Sequence, residues 1–243
     1  MKKITDRQKY APKLKFGVKR YLFNLNLDLD AIKREIEFNR SYYFLSGHSI
    51  TIQSDFLSDV ERFILFLEDR RYFVHFGFEF RSIPRAIKRW AKGRGLGGMS
   101  TIEQQVVRIV TQRNARTVNR KFTEILLAIG LNAHFSKREI FDYYIHFSYF
   151  GYKLQGCEVA ARYIFGSSAA ALAGKDAALL ASLLPLPLPK AVYVQLGETS
   201  RGESRSANEI IALGDRLAPM WSSRIRHRVD LATKNQAFSP KNL

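Results

Sequence analysis

The sequence predicts a mainly α fold, and three observations carry that expectation. Apolar residues recur at helical spacing through most of the chain. Ser or Thr followed three positions later by Glu or Gln marks several helix starts, and clusters of Gly and Pro mark stops. Alternating, strand-like patterning is confined to short pieces, and no internal repeat or low-complexity segment interrupts the helical pattern.

Taken in order, residues 1 to 20 hold eight Lys or Arg against Asp6 alone, interleaved with Tyr10, Leu14 and Phe16. This is a basic arm, either solvated or laid against anionic lipid. Leu25-Asn26-Leu27-Asp28-Leu29 alternates like a strand, and Ile50-Thr51-Ile52 is a second strand candidate. A helix begins at Ser58, where Ser58 and Glu61 form a capping box and Val60, Phe63, Ile64 and Leu67 share one face. Glu68 therefore falls at its C-terminal end, where the helix dipole disfavours negative charge by about 0.3–1 kcal/mol. The adjacent Arg70 and Arg71 favour that charge, so the balance stays open.

Ser82 to Lys92 forms a basic amphipathic helix with Pro84 in its first turn and a stripe of Ile83, Ile87, Trp90 and Ala91. It suits a core-facing surface helix or one lying at a membrane interface. The loop Gly93-x-Gly95-x-x-Gly98 has the letters of a dinucleotide fingerprint, but no strand precedes it and no βαβ pattern surrounds it. The next helix starts at Ser100 or Thr101, capped by Glu103 or Gln104, with Ile102, Val106, Ile109 and Val110 as its buried stripe. Another runs from about Arg120 to Leu131 with Phe122, Ile125, Leu126 and Ile129. Ser136 and Glu139 cap one that contains Ile140, Phe141, Tyr144 and Ile145. Lys175 to Leu184 is stopped by Pro185, Pro187 and Pro189; Glu209 to Leu217 is helical, and the end from Lys234 is loose.

The bulk numbers narrow the class. A chain of 243 residues with 46% apolar content buries a real core. The formal charge of +17 attracts nucleic acid, phospholipid headgroups or a phosphorylated substrate, without choosing among them. Cys157 is alone, which excludes an internal disulfide, and reads as a small buried residue rather than a nucleophile. No run of apolar residues is long enough to cross a membrane, and no apolar run follows Lys2 and Lys3 to make an export signal. The five histidines and the cysteine lack metal-ligand spacing, so no metal-binding residues are assigned.

What remains is acid–base chemistry by carboxylates near a band of cations. A Glu beside a hydroxyl can accept its proton as that oxygen attacks, and preorganised cations stabilise charge on a departing phosphate. Arg108, Arg113, Arg116, Arg120 and Lys121 run without an intervening acid. Their bland reading is a solvated helix face, and Arg120 with Glu124 could be a surface pair worth a few tenths of a kcal/mol.

The ordered motifs resemble glycosyltransferase family 51, the peptidoglycan glycosyltransferase domain of class A penicillin-binding proteins and monofunctional transglycosylases. The family's Glu-Asp-x-x-Phe-x-x-His-x-Gly is matched by Glu68, Asp69, His75 and Gly77, with Tyr72 at the Phe position. Gly-x-Ser-Thr-Ile-x-Gln-Gln is matched in full from Gly98 to Gln105, and Arg-Lys-x-x-Glu by Arg120, Lys121 and Glu124. Lys137, Ile140 and Tyr144 echo a fourth motif. Glu158 to Gly166 and Ala177 to Pro185 resemble the closing segment of monofunctional members. The motifs span roughly residues 55 to 190, within a domain taken as 55–230 between a basic extension, 1–54, and a tail, 231–243.

The resemblance implies a lysozyme-like, two-lobed fold and an inverting glycosyltransferase. Glu68 would be the base that deprotonates the acceptor sugar's 4-hydroxyl, and Glu124 a second carboxylate near the departing pyrophosphate, with a divalent cation such as Mg2+ expected there. Ser100, Thr101, Gln104, Gln105, Arg108, Arg116, Arg120 and Lys121 would hold sugar and phosphate groups, while Asp69 and His75 shape the first loop. The implied partners are lipid II, the growing glycan strand and an anionic membrane surface, at the outer face of the cytoplasmic membrane in a bacterial envelope. No nucleic acid is expected, and no protein partner is named.

Departures from the family pattern keep rivals open. The Lys-Asn after Gln-Gln is Arg108-Ile109 here, and Ile109 has no side-chain hydrogen bond to give; Asp142 and His146 replace Glu and Asn, and Gln155 stands where many members have Arg. A non-catalytic relative binding lipid II or glycan as a scaffold, and a lysozyme-like hydrolase using two carboxylates, are the alternatives.

Overall fold

A computed structural model describes residues 17–45, 57–80, 100–113, 117–198 and 204–240. The expected helix over Ser82–Lys92, the glycine loop after it, the Ile50–Ile52 strand, Arg116 and most of the basic arm lie outside these residues. The chain divides into two units, each described by itself: unit 1 is Met1–Ile50 with Phe76–Tyr143, and unit 2 is Thr51–His75 with Tyr144–Leu243. The mainly α class holds in both.

Unit 1 is built on α1 (Val18–Leu45), α3 (Ile102–Thr111) and α4 (Val118–His134), with α5 (Lys137–Phe147) beginning in it and running on into unit 2. The expected Leu25–Leu29 strand is instead part of α1. Alternation over five residues is a weak signal, and the longer helical series Asp28, Ala31, Ile32 and Ile36 is what is buried. Helix α1 packs on α3 and α4. Gly130 of α4 lets it come close, since a Cβ there would stand 3.0 Å from Leu29. Arg113 completes the join with a bidentate pair to Asp28, at 2.6 and 3.0 Å.

Thr101 is the cap of α3, accepting from the Gln104 amide. The reciprocal half of the expected capping box is missing, because the Gln104 side chain is turned to other partners. The buried stripe of α3 is Ile102, Val106, Val107 and Val110, with Ile109 only half-buried. Helix α4 starts at its Thr117 cap and buries Glu124, Leu127, Ala128 and Leu131, leaving Phe122 exposed. Its buried face is thus rotated from the all-apolar stripe of the sequence and contains a carboxylate. Ser136 and Glu139 exchange bonds at the start of α5, as expected.

Unit 2 is centred on α7 (Gly174–Ser182), whose residues Ala177 to Ser182 are all buried, as befits a helix apolar on every side. Around it lie α2 (Asp59–Glu68), α6 (Cys157–Phe165), α8 (Lys190–Glu198), α9 (Ala207–Leu217) and α10 (Pro219–Thr233). The Ser58–Glu61 capping box is present on α2, whose buried residues are Val60, Phe63, Ile64, Leu65 and Phe66, with Leu67 half-buried. The Asp59 carboxylate accepts from the Gly174 amide at 3.3 Å, and Asp176 accepts from Ala207, tying α2 to α7 and α7 to α9. A hairpin that the sequence did not announce, β1 (Tyr149–Gly151) with β2 (Leu154–Gln155), turns on Lys153 at φ 57°. Beyond α10 the described residues, to Pro240, are not loose: the Phe238 ring meets Phe66 edge-on at 5.3 Å.

Gly77 shows why the first motif ends in glycine. Its φ is +78°, and a Cβ would lie 2.6 Å from the Ala128 carbonyl carbon and oxygen of α4. Gly77→Ala is therefore expected to lose about 1–3 kcal/mol from the backbone conformation alone, and more from the collision, read as a lowered denaturation midpoint.

Candidate functional site

In unit 1 the site grows from Glu124, whose carboxylate is 3% exposed on the inward face of α4. Burial of an ionised carboxylate costs several kcal/mol unless it is paired. Here three cations pair it. Arg120, one turn earlier, donates from Nη1 to Oε2 at 2.7 Å; Lys121 Nζ lies 3.3 Å and Arg108 Nε 3.4 Å from Oε1. The i,i+4 and i,i+3 spacing on α4 places Arg120 and Lys121, and α3 packing on α4 brings Arg108. The Arg120–Glu124 pair that could have been a surface decoration is buried.

Lys121 is the most constrained of the three. Its ammonium also donates to Ser100 Oγ at 2.8 Å and Gln104 Oε1 at 2.5 Å. Burial lowers its pKa from the usual lysine value, Glu124 opposes that, and Arg108 and Arg120 add to it. Gln104, fully buried, uses its amide to donate to the Gly77 carbonyl at 3.2 Å, and Thr101 Oγ1 donates to the same oxygen at 3.0 Å. Both side chains are thus occupied in fixing the Gly77 loop and the lysine, while Gln105 is half-buried on α3. Arg113 is spent on Asp28. A recess of about 210 Å3 opens beside the cluster, lined by Arg108, Arg113, Asn119, Arg120, Thr123 and Glu124 among others. With more positive than negative charge at its wall, it suits an anionic group. Lys137 and Glu103 make a separate buried ion pair between α5 and α3, Glu103 also accepting from Asn132 at 3.3 Å.

In unit 2 Glu68 is the last residue of α2, as its spacing predicted. Arg228 of α10 donates from Nη2 to Glu68 Oε1 at 2.7 Å, and the two side chains are only 23% and 13% exposed. Asp69 ends the helix, its amide bonded to Leu65 O, and its carboxylate meets His75 Nε2 at 2.9 Å in a pair nearly closed to solvent. With the buried Tyr72 ring edge-on to His75, these two hold the loop after α2 in shape. Cys157 is buried and unbonded to another cysteine; burial, then the negative Glu61 and Glu158, push its thiol pKa up, which makes it inert at neutral pH.

The sequence missed Arg228. The Pro219 start and the Ile225, Val229, Ala232 series could have revealed helix α10, but nothing local pairs residues 160 positions apart.

A mainly helical chain with a buried carboxylate under three cations, and a second carboxylate ending a helix, has the build of a protein that receives an anionic group. The transglycosylase family model matches residues 46–210, more than half of the chain, and the chain belongs to that family. The lysozyme-like, mainly α fold follows from membership. Among curated proteins it is 36% identical over 148 residues to the biosynthetic peptidoglycan transglycosylase of Shewanella denitrificans, covering 61% of this chain and 64% of that protein. It is 40% identical over 120 residues to that of a Marinomonas species, covering 49% and 53%, and 35% identical over 131 residues to that of Haemophilus influenzae, covering 54% and 53%. The chain thus spans between half and two thirds of the length of these relatives.

The Lys121 balance gives a measurable sign. In Glu124→Gln the charge that holds the ammonium protonated is gone while burial and both arginines remain, so the Lys121 titration midpoint, followed by NMR of its side chain, is expected to fall further below the usual 10.5. A lysine depressed in the fold costs stability as pH falls below 10.5, so this variant is also expected to lose more stability than the unmodified chain between pH 10 and neutrality.

Proposed function

We propose that the chain is a peptidoglycan glycosyltransferase that polymerises lipid II into β-1,4-linked glycan strands and releases polyprenyl pyrophosphate. The observation that carries this reading is the buried Glu124 beneath Arg108, Arg120 and Lys121, on motifs of the transglycosylase family. Glu68 takes the proton of the acceptor's 4-hydroxyl as that oxygen forms its bond to the donor's anomeric carbon. The bond from that carbon to the pyrophosphate oxygen breaks from the opposite face, giving inversion, and the electron pair leaves on the pyrophosphate. Arg108, Arg120 and Lys121 receive that growing negative charge, and Arg116 extends the same charge band along the sequence. Glu124, already paired on both oxygens, holds the cations apart and aimed rather than moving a proton.

The divalent cation expected at the pyrophosphate does not fit the donors beside Glu124. Mg2+ takes oxygen ligands with little positive charge nearby, whereas both Glu124 oxygens are held by cations within 3.4 Å. The arginines and lysine supply that charge instead.

We assign the work to the bacterial cell envelope, peripherally at the outer face of the cytoplasmic membrane. No helix among the described residues is long and apolar enough to cross a membrane. Support comes from unit 1, where Val18 is 73%, Leu22 48%, Val118 80% and Phe122 55% exposed. The Tyr21 ring stacks on Phe122 and its hydroxyl bonds Thr123 at 2.8 Å, which joins α1 to α4 at the ends that carry these side chains, and Lys19 on α1 is exposed as well. Exposed apolar side chains with basic residues nearby suit an anionic bilayer.

Incubating the chain with lipid II and resolving products by length tests the reading: a ladder of glycan strands is expected. Soluble fragments from lipid-free peptidoglycan would instead favour a hydrolase, and binding without turnover a scaffold. Glu68→Gln is expected to lower polymerisation by about 10²–10⁴-fold with lipid II binding retained. Phe122→Asp is expected to weaken co-sedimentation with phosphatidylglycerol vesicles while leaving the fold intact by circular dichroism.

A further inference from the structure

Glu68 stands where its own helix resists it. The last carbonyls of α2 make that end of the helix negative, and two of them are already engaged, Leu65 O by the Asp69 amide and Phe66 O by Arg70 Nε at 3.0 Å. A glutamate there gains by swinging away from the helix end, and its several rotatable bonds permit it. A base must instead be held within hydrogen-bond reach of the proton it takes.

The counterweight comes from α10. Arg228 Nη2 donates a charge-assisted bond to Glu68 Oε1 at 2.7 Å, in surroundings dry enough to limit screening. The helix that delivers it is itself fixed. Ile225, Val229 and Ala232 are buried, α10 packs on α7, α9 and α2, and Trp221 Nε1 bonds Leu186 O at 2.9 Å. Helix α2 is further clasped by Phe238 and by Arg70 over the Phe66 ring at 4.0 Å. The contrast with Arg226 in the same helix is informative: it pairs with Asp215 at the surface, both half exposed. Since apolar packing already joins α10 to α2, a tie between the two helices does not require an arginine at Glu68.

We infer that Arg228 is a positioning residue for glycosyl transfer, holding the Glu68 carboxylate aimed, so that α10, beyond the stretch matched by the family model, contributes to the reaction. This rests on the reading of Glu68 as the base. Arg228 touches no substrate in this scheme; its contact is with Oε1 of Glu68.

Steady-state polymerisation of lipid II by the full chain, with thermal unfolding measured alongside, tests this. Arg228→Met, which keeps the stem and removes the charge, is expected to lower kcat at least about ten-fold with KM within about two-fold. Arg228→Lys, which restores a cation without the planar fork, is expected to recover most of the loss. In a Glu68→Gln background, Arg228→Met is expected to lower the residual rate no further. An unchanged kcat, a rise in KM alone, or the same loss in the Glu68→Gln background overturns the inference. Should Arg228→Met fail to fold, Arg228→Gln replaces it with the same expected loss. The two readings fail separately: full turnover by Glu68→Gln removes the base and this inference together, whereas an inactive Glu68→Gln beside a fully active Arg228→Met removes the inference alone.

Discussion

Burying the Glu124 carboxylate under three cations is the constraint from which the rest of unit 1 follows. A lone ionised carboxylate at 3% exposure would cost several kcal/mol, so partners must be close. At an effective dielectric of about 20, one ion pair at 4 Å returns about 4 kcal/mol, enough for a single cation to balance the account. Three are present, at 2.7 to 3.4 Å. The cations repel one another, and Arg108 and Arg120 add in a small way to the lowering of the Lys121 pKa, which burial chiefly causes. Such an arrangement gains little as structure; under the proposed function it is a preorganised receptor for further negative charge.

The polar side chains around the cluster show how the charge is kept in place. Lys121 donates to Ser100, Gln104 and Glu124, which uses the three protons of its ammonium. Gln104 and Thr101 both spend a donor on the Gly77 carbonyl, and Gly77 can reach them only because it lacks a Cβ that would strike α4. Three motifs far apart in sequence therefore form one hydrogen-bonded assembly. Their residues divide into those that present charge and those that hold the presenters, a distinction that matters when a substitution at Thr101 or Gln104 lowers activity without touching a substrate.

What could be read from the sequence follows from how local the physics is. The Ser58–Glu61 and Ser136–Glu139 boxes were legible because cap and partner lie three residues apart, and they fixed Glu68 as the end of α2. The buried run of α7 was legible for the same reason, bounded by prolines. Burial of Glu124 was not, since Arg120 and Glu124 have the same spacing whether α4 turns them to water or inward; only the family resemblance separated the two. The Leu25–Leu29 alternation misled because its polar members, Asn26 and Asp28, break the helical stripe, and the reason Asp28 faces inward is Arg113, 85 positions away. Ile109 and Leu67 were placed on buried stripes by spacing alone, and both sit at the margin of a face whose centre lies one residue over.

The two carboxylates are held by different kinds of constraint, and this has a consequence for how the protein tolerates change. Around Glu124 two of the three cations lie on the same helix, within four residues, so their placement beside it is local to α4. Glu68 depends on Arg228, carried by a helix near the far end of the chain whose own position rests on Ile225, Val229 and the Trp221 anchor. Loosening α10 would leave the cation cluster of unit 1 with its α4 members in place while removing the Arg228 bond from the carboxylate proposed to take the proton. On the proposed reading, lesions of α10 act on proton removal before they act on anion binding, which puts the weak point in the packing of unit 2 and not in the charged motifs themselves.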